Sequence, residues 1–143
     1  MSNYKTKLKD IKGFAFDVDG VFTDGQVLVM PDGDMLRSHN AKDGFGLRWA
    51  ILSGYHTAVI TGAYSESVRK RFEGIDNIDV TFKDILDVSL EEVESRFSGN
   101  FSLVANIPYY ITSPIIFKFL ESEKLDSMFL MVQLEVGERF ASN

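Results

Sequence analysis

Gly13-Phe14-Ala15-Phe16-Asp17-Val18-Asp19-Gly20-Val21-Phe22-Thr23-Asp24-Gly25 decides how this chain is read. An apolar run leads into two carboxylates at i and i+2 and then into a glycine-containing loop, the pattern of a strand that ends in chemistry. In extended backbone, i and i+2 share a face, so both acids can meet one reacting group and one cation where the strand opens. Two anions this close repel each other unless a cation or a proton intervenes. A plain Asp-Gly turn would account for Asp19-Gly20 but not for the longer pattern.

That longer pattern resembles the first motif of the haloacid-dehalogenase phosphatases, and closely that of the 3-deoxy-D-manno-octulosonate 8-phosphate phosphatases. Asn40-Ala41-Lys42-Asp43-Gly44-Phe45-Gly46 is similar to the N-x-x-D-G segment of that family, and Val59-Ile60-Thr61-Gly62 to its second motif. The resemblance implies Asp17 as the phosphate-accepting nucleophile, Asp19 as acid/base and Thr61 as a phosphate-binding hydroxyl. It also implies that the Asp19 backbone carbonyl joins Asp17 on magnesium. Ala63 stands where relatives usually carry Arg, which weakens the expected grip on an anion.

Near Gly74 this resemblance stops and another begins. The expected catalytic Lys and the Gly-Asp-Asp type motif do not follow. Instead Asp79 to Leu86, the run Asn106-Ile107-Pro108-Tyr109-Tyr110-Ile111-Thr112-Ser113-Pro114, and Phe129 to Arg139 resemble the middle of a ribosomal RNA adenine dimethyltransferase. There the resemblance implies that Asp84 touches the cofactor's adenine and that Asn106, Pro108 and Tyr109 hold the target base. Composition changes at the same place. Nine of the 11 glycines precede residue 75, and net charge is +1 before it and −7 after it. The expectation is one domain, 1–143, built from a phosphatase-like segment, 1–74, and a methyltransferase-like segment, 75–143, as in a recombined or engineered chimera.

With 143 residues, 45% hydrophobic and 13% aromatic, the chain has material for one packed core. It has no Cys, which suits a cytoplasmic protein, and only His39 and His56, too few for a zinc site. Its start lacks the apolar stretch of a secretion signal and no apolar run reaches membrane-spanning length, so no membrane association is expected. A net charge of −6 opposes broad nucleic-acid binding, and the RNA-binding C-terminal region of the methyltransferases is not expected here.

The pattern predicts strands at 13–18, 56–61, 78–83, 101–107 and 127–133, with a hairpin pairing Gln26 to Met30 with Met35 to His39. Helices are expected from Gly44 to Leu52, after Ser65, after the capping box Ser89-x-x-Glu92, from Ser113 as N-cap with Pro114 at N1, and from about Glu135. The runs Phe101 to Ile107 and Met128 to Val132 read as buried on both faces. The predicted fold class is α/β: a three-layer, Rossmann-like domain with a mostly parallel five-stranded sheet and the hairpin inserted after strand 1. Both families imply the order 3-2-1-4-5, so splicing them keeps the winding and gathers every motif on one rim.

The expected chemistry is vestigial. Asp17, Asp19 and Asn106 are the candidate metal ligands, Asn106 being an uncharged oxygen donor where an acid is wanted, so magnesium should bind weakly. Phosphate or a sugar phosphate is the candidate ligand. Lys83 could replace the missing Lys or simply be a surface residue. S-adenosylmethionine is not expected to bind, because Asp17-Val18-Asp19-Gly20 stands where its Gly-rich loop would be, leaving Asp84, Asn106, Pro108 and Tyr109 as remnants. A weak sugar-phosphate phosphatase is the alternative reading, and a methyltransferase fragment the third. The hairpin Gln26 to His39 is a candidate homo-oligomer contact, since it matches the insertion the phosphatases use for assembly, or else a cover for the rim.

Overall fold

The computed structural model describes residues 9–62 and 64–142. The apolar run at the start forms strand β1 (Ile11–Phe16), which occupies the centre of the sheet. It lies parallel to β4 (His56–Thr61) on one side and to β6 (Asn100–Asn106) on the other. Beyond β4 comes β5 (Ile78–Phe82), and beyond β6 comes β7 (Leu125–Met131), giving the order β5-β4-β1-β6-β7. Setting aside the hairpin strands β2 (Thr23–Val29) and β3 (Met35–His39), this is the winding 3-2-1-4-5. All five strands are parallel, so their C-terminal ends share one rim.

Among the described residues the helices are α1 (Ala41–Leu52), α2 (Glu66–Glu73), α3 (Leu90–Glu94) and α4 (Thr112–Leu120), which lead from strand to strand, and α5 (Leu134–Ala141), which follows β7. On one face of the sheet, Ala15, Ala58, Ile60, Phe101 and Leu103 pack with Val93, Phe97, Ile115 and Phe119. This cluster joins residues from both sides of the composition change. Phe97 and Phe101 stack with ring centroids 4.5 Å apart. Gly13 makes room for them, since a Cβ there would lie 2.4 Å from the Phe97 ring and 2.7 Å from the His56 carbonyl oxygen. On the other face, Val59 packs with Val18, Phe22, Leu47, Val68 and Phe72.

Several boundaries differ from the sequence expectation for local reasons. Strand β1 ends at Phe16, so the two acids lie just beyond it, although the Asp17 N–H still bonds the Val104 carbonyl at 3.0 Å. Helix α1 starts at Ala41 rather than Gly44, because the Asn40 side chain caps it by accepting the Lys42 N–H. Ile111, not Ser113, is the N-cap of α4, which puts Pro114 third in the helix, still within the first turn where its missing N–H costs nothing. The Ser89 cap is present, with its hydroxyl accepting from the Glu92 N–H at 3.0 Å, but α3 closes before Phe97. Strand β7 is buried on one face only. It is an edge strand, and Phe129 and Met131 are 60% and 56% exposed because neither apolar cluster reaches them. Among the described residues, no helix is long and apolar enough to cross a membrane.

Candidate functional site

The rim at the end of β1 is built by a tight loop. The Val18 carbonyl accepts from both the Val21 and Phe22 N–H groups, which turns the chain sharply after Asp17. Gly20 sits at φ 79°, and a Cβ there would meet the Asn106 side chain at 2.2 Å, so both conformation and space demand glycine. The Thr23 hydroxyl accepts the Gly20 N–H at 3.1 Å and the Gly25 N–H at 3.3 Å, holding the loop closed.

Within this loop the two acids have different surroundings. Asp17 is largely buried, and burial pushes its carboxyl up to about 6, with the Asp19 charge adding to the rise. Hydrogen bonds from the backbone N–H groups of Val18, Asp19 and Asn106 oppose that rise, the Val18 bond being 2.6 Å. No ion pair among the described residues involves Asp17. Asp19 instead receives both arms of Arg37, with Nε at 2.7 Å from Oδ1 and Nη2 at 3.1 Å from Oδ2. The Arg37 side chain is 4% exposed, so this fork is sheltered from water.

Arg37 reaches the rim because the hairpin folds back onto the domain. The Ser65 hydroxyl, buried at the start of α2, donates to the hairpin at Asp34 Oδ1 or the Met35 carbonyl. His39 meets Phe72 edge-on with ring centroids 6.2 Å apart. Burial, then Arg71 and Arg37, hold its imidazole below the ordinary range. Strand β3 therefore reaches the rim at Asp19 through Arg37, while Val27, Leu28 and Val29 of β2 stay exposed. No motif pointed to Arg37. In β3, Arg37 and His39 share the more shielded side and Leu36 and Ser38 the exposed one.

Asp17, Asp19, Thr61, Asp84, Asn106 and Pro108 all border one crevice of about 450 Å³ between the ends of β1, β4 and β6. Tyr110 lines it, whereas Tyr109 does not and is 63% exposed. Asn106 meets Asp17 through its backbone, while its amide packs against Gly20. Lys83 is directed away to Glu92, at 3.3 Å. Ala63 lies outside the described residues. Among the described residues there is no group of three His, Cys, Asp or Glu side chains able to hold a metal ion. The residues present thus fit a hard cation that keeps most of its waters. At the turn after β1 the crevice carries the carboxylates of Asp17 and Asp19.

Comparison with known proteins divides the chain along similar lines. Part of the chain resembles phosphatases: the 3-deoxy-D-manno-octulosonate 8-phosphate phosphatase of Salmonella typhi is 33% identical over 91 residues, 57% of this chain and 48% of that protein. The structure of the Moraxella catarrhalis phosphatase, in complex with magnesium, phosphate and a KDO molecule, aligns at a TM-score of 0.59 with 31% identity, covering 71% of this chain and 60% of that one. The Yersinia pestis phosphatase shares the fold at a TM-score of 0.64 and 22% identity over 87% of this chain and 74% of its own. The ribosomal RNA small subunit methyltransferase A of Caldanaerobacter subterraneus is 43% identical over 79 residues, 54% of this chain but 30% of that protein. The chain therefore spans about a third to a half of the curated relatives it matches. The sequence profile of the ribosomal RNA adenine dimethylases matches residues 60–143, beginning inside β4 and so upstream of the change expected near Gly74. By that match over more than half its length, the chain belongs to the ribosomal RNA adenine dimethylase family, with a phosphatase-like segment in front.

Proposed function

We propose that this chain is a recombined α/β domain, joined near residue 74, that keeps the magnesium-binding corner of a sugar-phosphate phosphatase without its complete active site. The observation that carries this reading is Asp17: a largely buried carboxylate just beyond the central strand, in no ion pair among the described residues, beside an acid already taken up by Arg37. Asp17, the Asp19 carbonyl and Asn106 would hold the metal weakly. A phosphate would enter only with it, toward the Thr61 hydroxyl. The metal would supply charge neutralisation, on which phosphoryl transfer chiefly depends.

Turnover is the weak point. Asn106 brings no charge at the fourth strand, Lys83 is engaged elsewhere, and Arg37 neutralises Asp19, which a phosphatase needs as a proton donor. Hydrolysis of an aryl phosphate in magnesium should therefore lie near the uncatalysed rate, and any activity should vanish in Asp17→Asn. Robust hydrolysis that depends on Asp17 would replace this reading with that of a working phosphatase. The exposed Val27, Leu28 and Val29 row supports a further part of the reading, assembly with other copies through the hairpin, which a sedimentation measurement would test. The cytoplasm is the compartment this reading assigns.

A further inference from the structure

The crevice at the rim is larger than a metal site requires and has a different character below its mouth. Its floor is apolar, formed by Ile60, Leu103, Ala105, Ile107 and Ile115. Ile60 on β4 lies before the composition change and the other four, on β6, just after it and on α4, lie beyond it, so the space belongs to the joint between the two segments. At about 450 Å³ it falls within the range of small-molecule pockets. One of its walls is braced: the Lys118 ammonium donates to the carbonyls of Ile85, Leu86 and Val88, fixing the loop after β5.

The charge at the mouth has one sign. No Lys, Arg or His lines the crevice among the described residues, whereas Asp17, Asp19 and Asp84 do. Arg37 already offsets Asp19, and Lys118 lies close enough to feel Asp84. Asp17 remains as an acid in no ion pair among the described residues, in a crevice with this apolar lining. We propose that this crevice is a binding site for an aromatic ammonium compound, with its ring on the floor and its ammonium group at Asp17. The ring removes apolar surface from water on both sides, and the ammonium gives Asp17 the partner it lacks. An anion of the same shape would meet repulsion from the same carboxylate. This inference is independent of the metal reading, because it concerns the metal-free protein.

Titration calorimetry in a chelator, at fixed ionic strength, with naphthylmethylammonium and naphthoate as probes tests it. The ammonium compound should bind at least about tenfold more tightly than the carboxylate, given opposite rather than like charge at one short distance. Asp17→Asn should abolish that preference. Ala105→Phe, which fills the floor from a partly buried position, should abolish binding of both probes while the protein still unfolds cooperatively. Equal binding of the two probes, or ammonium binding unchanged in both variants, would overturn the proposal. Loss of the magnesium response alone would leave it standing.

Discussion

The ends of β1 and β6 lie side by side on one rim and teach opposite lessons. At the end of β1, every element of a charged corner is in place: a turn closed by Thr23, a glycine that no other residue could replace, and an acid presented by three backbone donors. At the end of β6, Asn106 occupies the facing position with no charge, and its amide is spent on packing against Gly20. On the proposed reading, backbone geometry survived the junction of the two segments, while the pairing of charges across it did not. Parallel strands can be exchanged between sheets of the same winding, because the ladder is made of backbone groups alone. A catalytic constellation depends on which side chains meet across the strands.

The largest effect should come from breaking the shared core rather than the rim. Phe101→Ala removes a fully buried ring stacked on Phe97 and should cost about 3–5 kcal/mol. If the two segments form one cooperative domain, unfolding followed by Trp49 fluorescence and by far-ultraviolet circular dichroism should shift together. Two separated transitions would show that the segments fold apart.

Next comes the pH dependence of Asp17. Its carboxyl is raised from 3.8 to about 6 in the folded chain, so the folded state holds the proton more tightly than the unfolded state. The stability this contributes is fully present below about pH 4 and is lost as pH rises through about 6, amounting to at most about 3 kcal/mol. Asp17→Asn should remove this fall and be the more stable protein at pH 7 without metal. Denaturant midpoints measured between pH 4 and 7.5 would check it, with parallel curves for the two proteins counting against burial as the cause.

Arg37→Met probes the other acid. It leaves Asp19 without its fork, but Asp19 is 37% exposed and partly hydrated, so the cost should be about 1–2 kcal/mol rather than the larger penalty of a fully buried pair. Denaturant midpoints of the two proteins at one neutral pH would check it, an unchanged midpoint counting against the fork as a stabilising contact.

Much of the fold was legible because it rests on local pattern. The apolar run into Asp17, the Pro31-Asp32-Gly33-Asp34 turn and the Ser89 cap each specify backbone directly, and the winding followed from them. Asp17, Asp19 and Thr61, singled out by motif, do border one crevice, so their gathering on one rim was legible. The site was not legible where it depends on docking. Arg37 is engaged because the hairpin is latched to Ser65, a contact across 30 residues that no local pattern records. Tyr110 rather than Tyr109 faces the crevice because the turn before α4 sets their directions, and two adjacent tyrosines give no period to choose between. The open face of β7 escaped notice because an edge strand and a central one can carry the same apolar run.

In the proposed site, Asp17 anchors a metal that binds weakly because Asn106 brings no charge. Magnesium titration followed by thermal unfolding tests it most directly. Wild type should gain about 1.4 kcal/mol at ten times Kd, Asp17→Asn should gain nothing, and Asn106→Asp should reach the same gain at a lower magnesium concentration. An unchanged response in Asp17→Asn would contradict the claim.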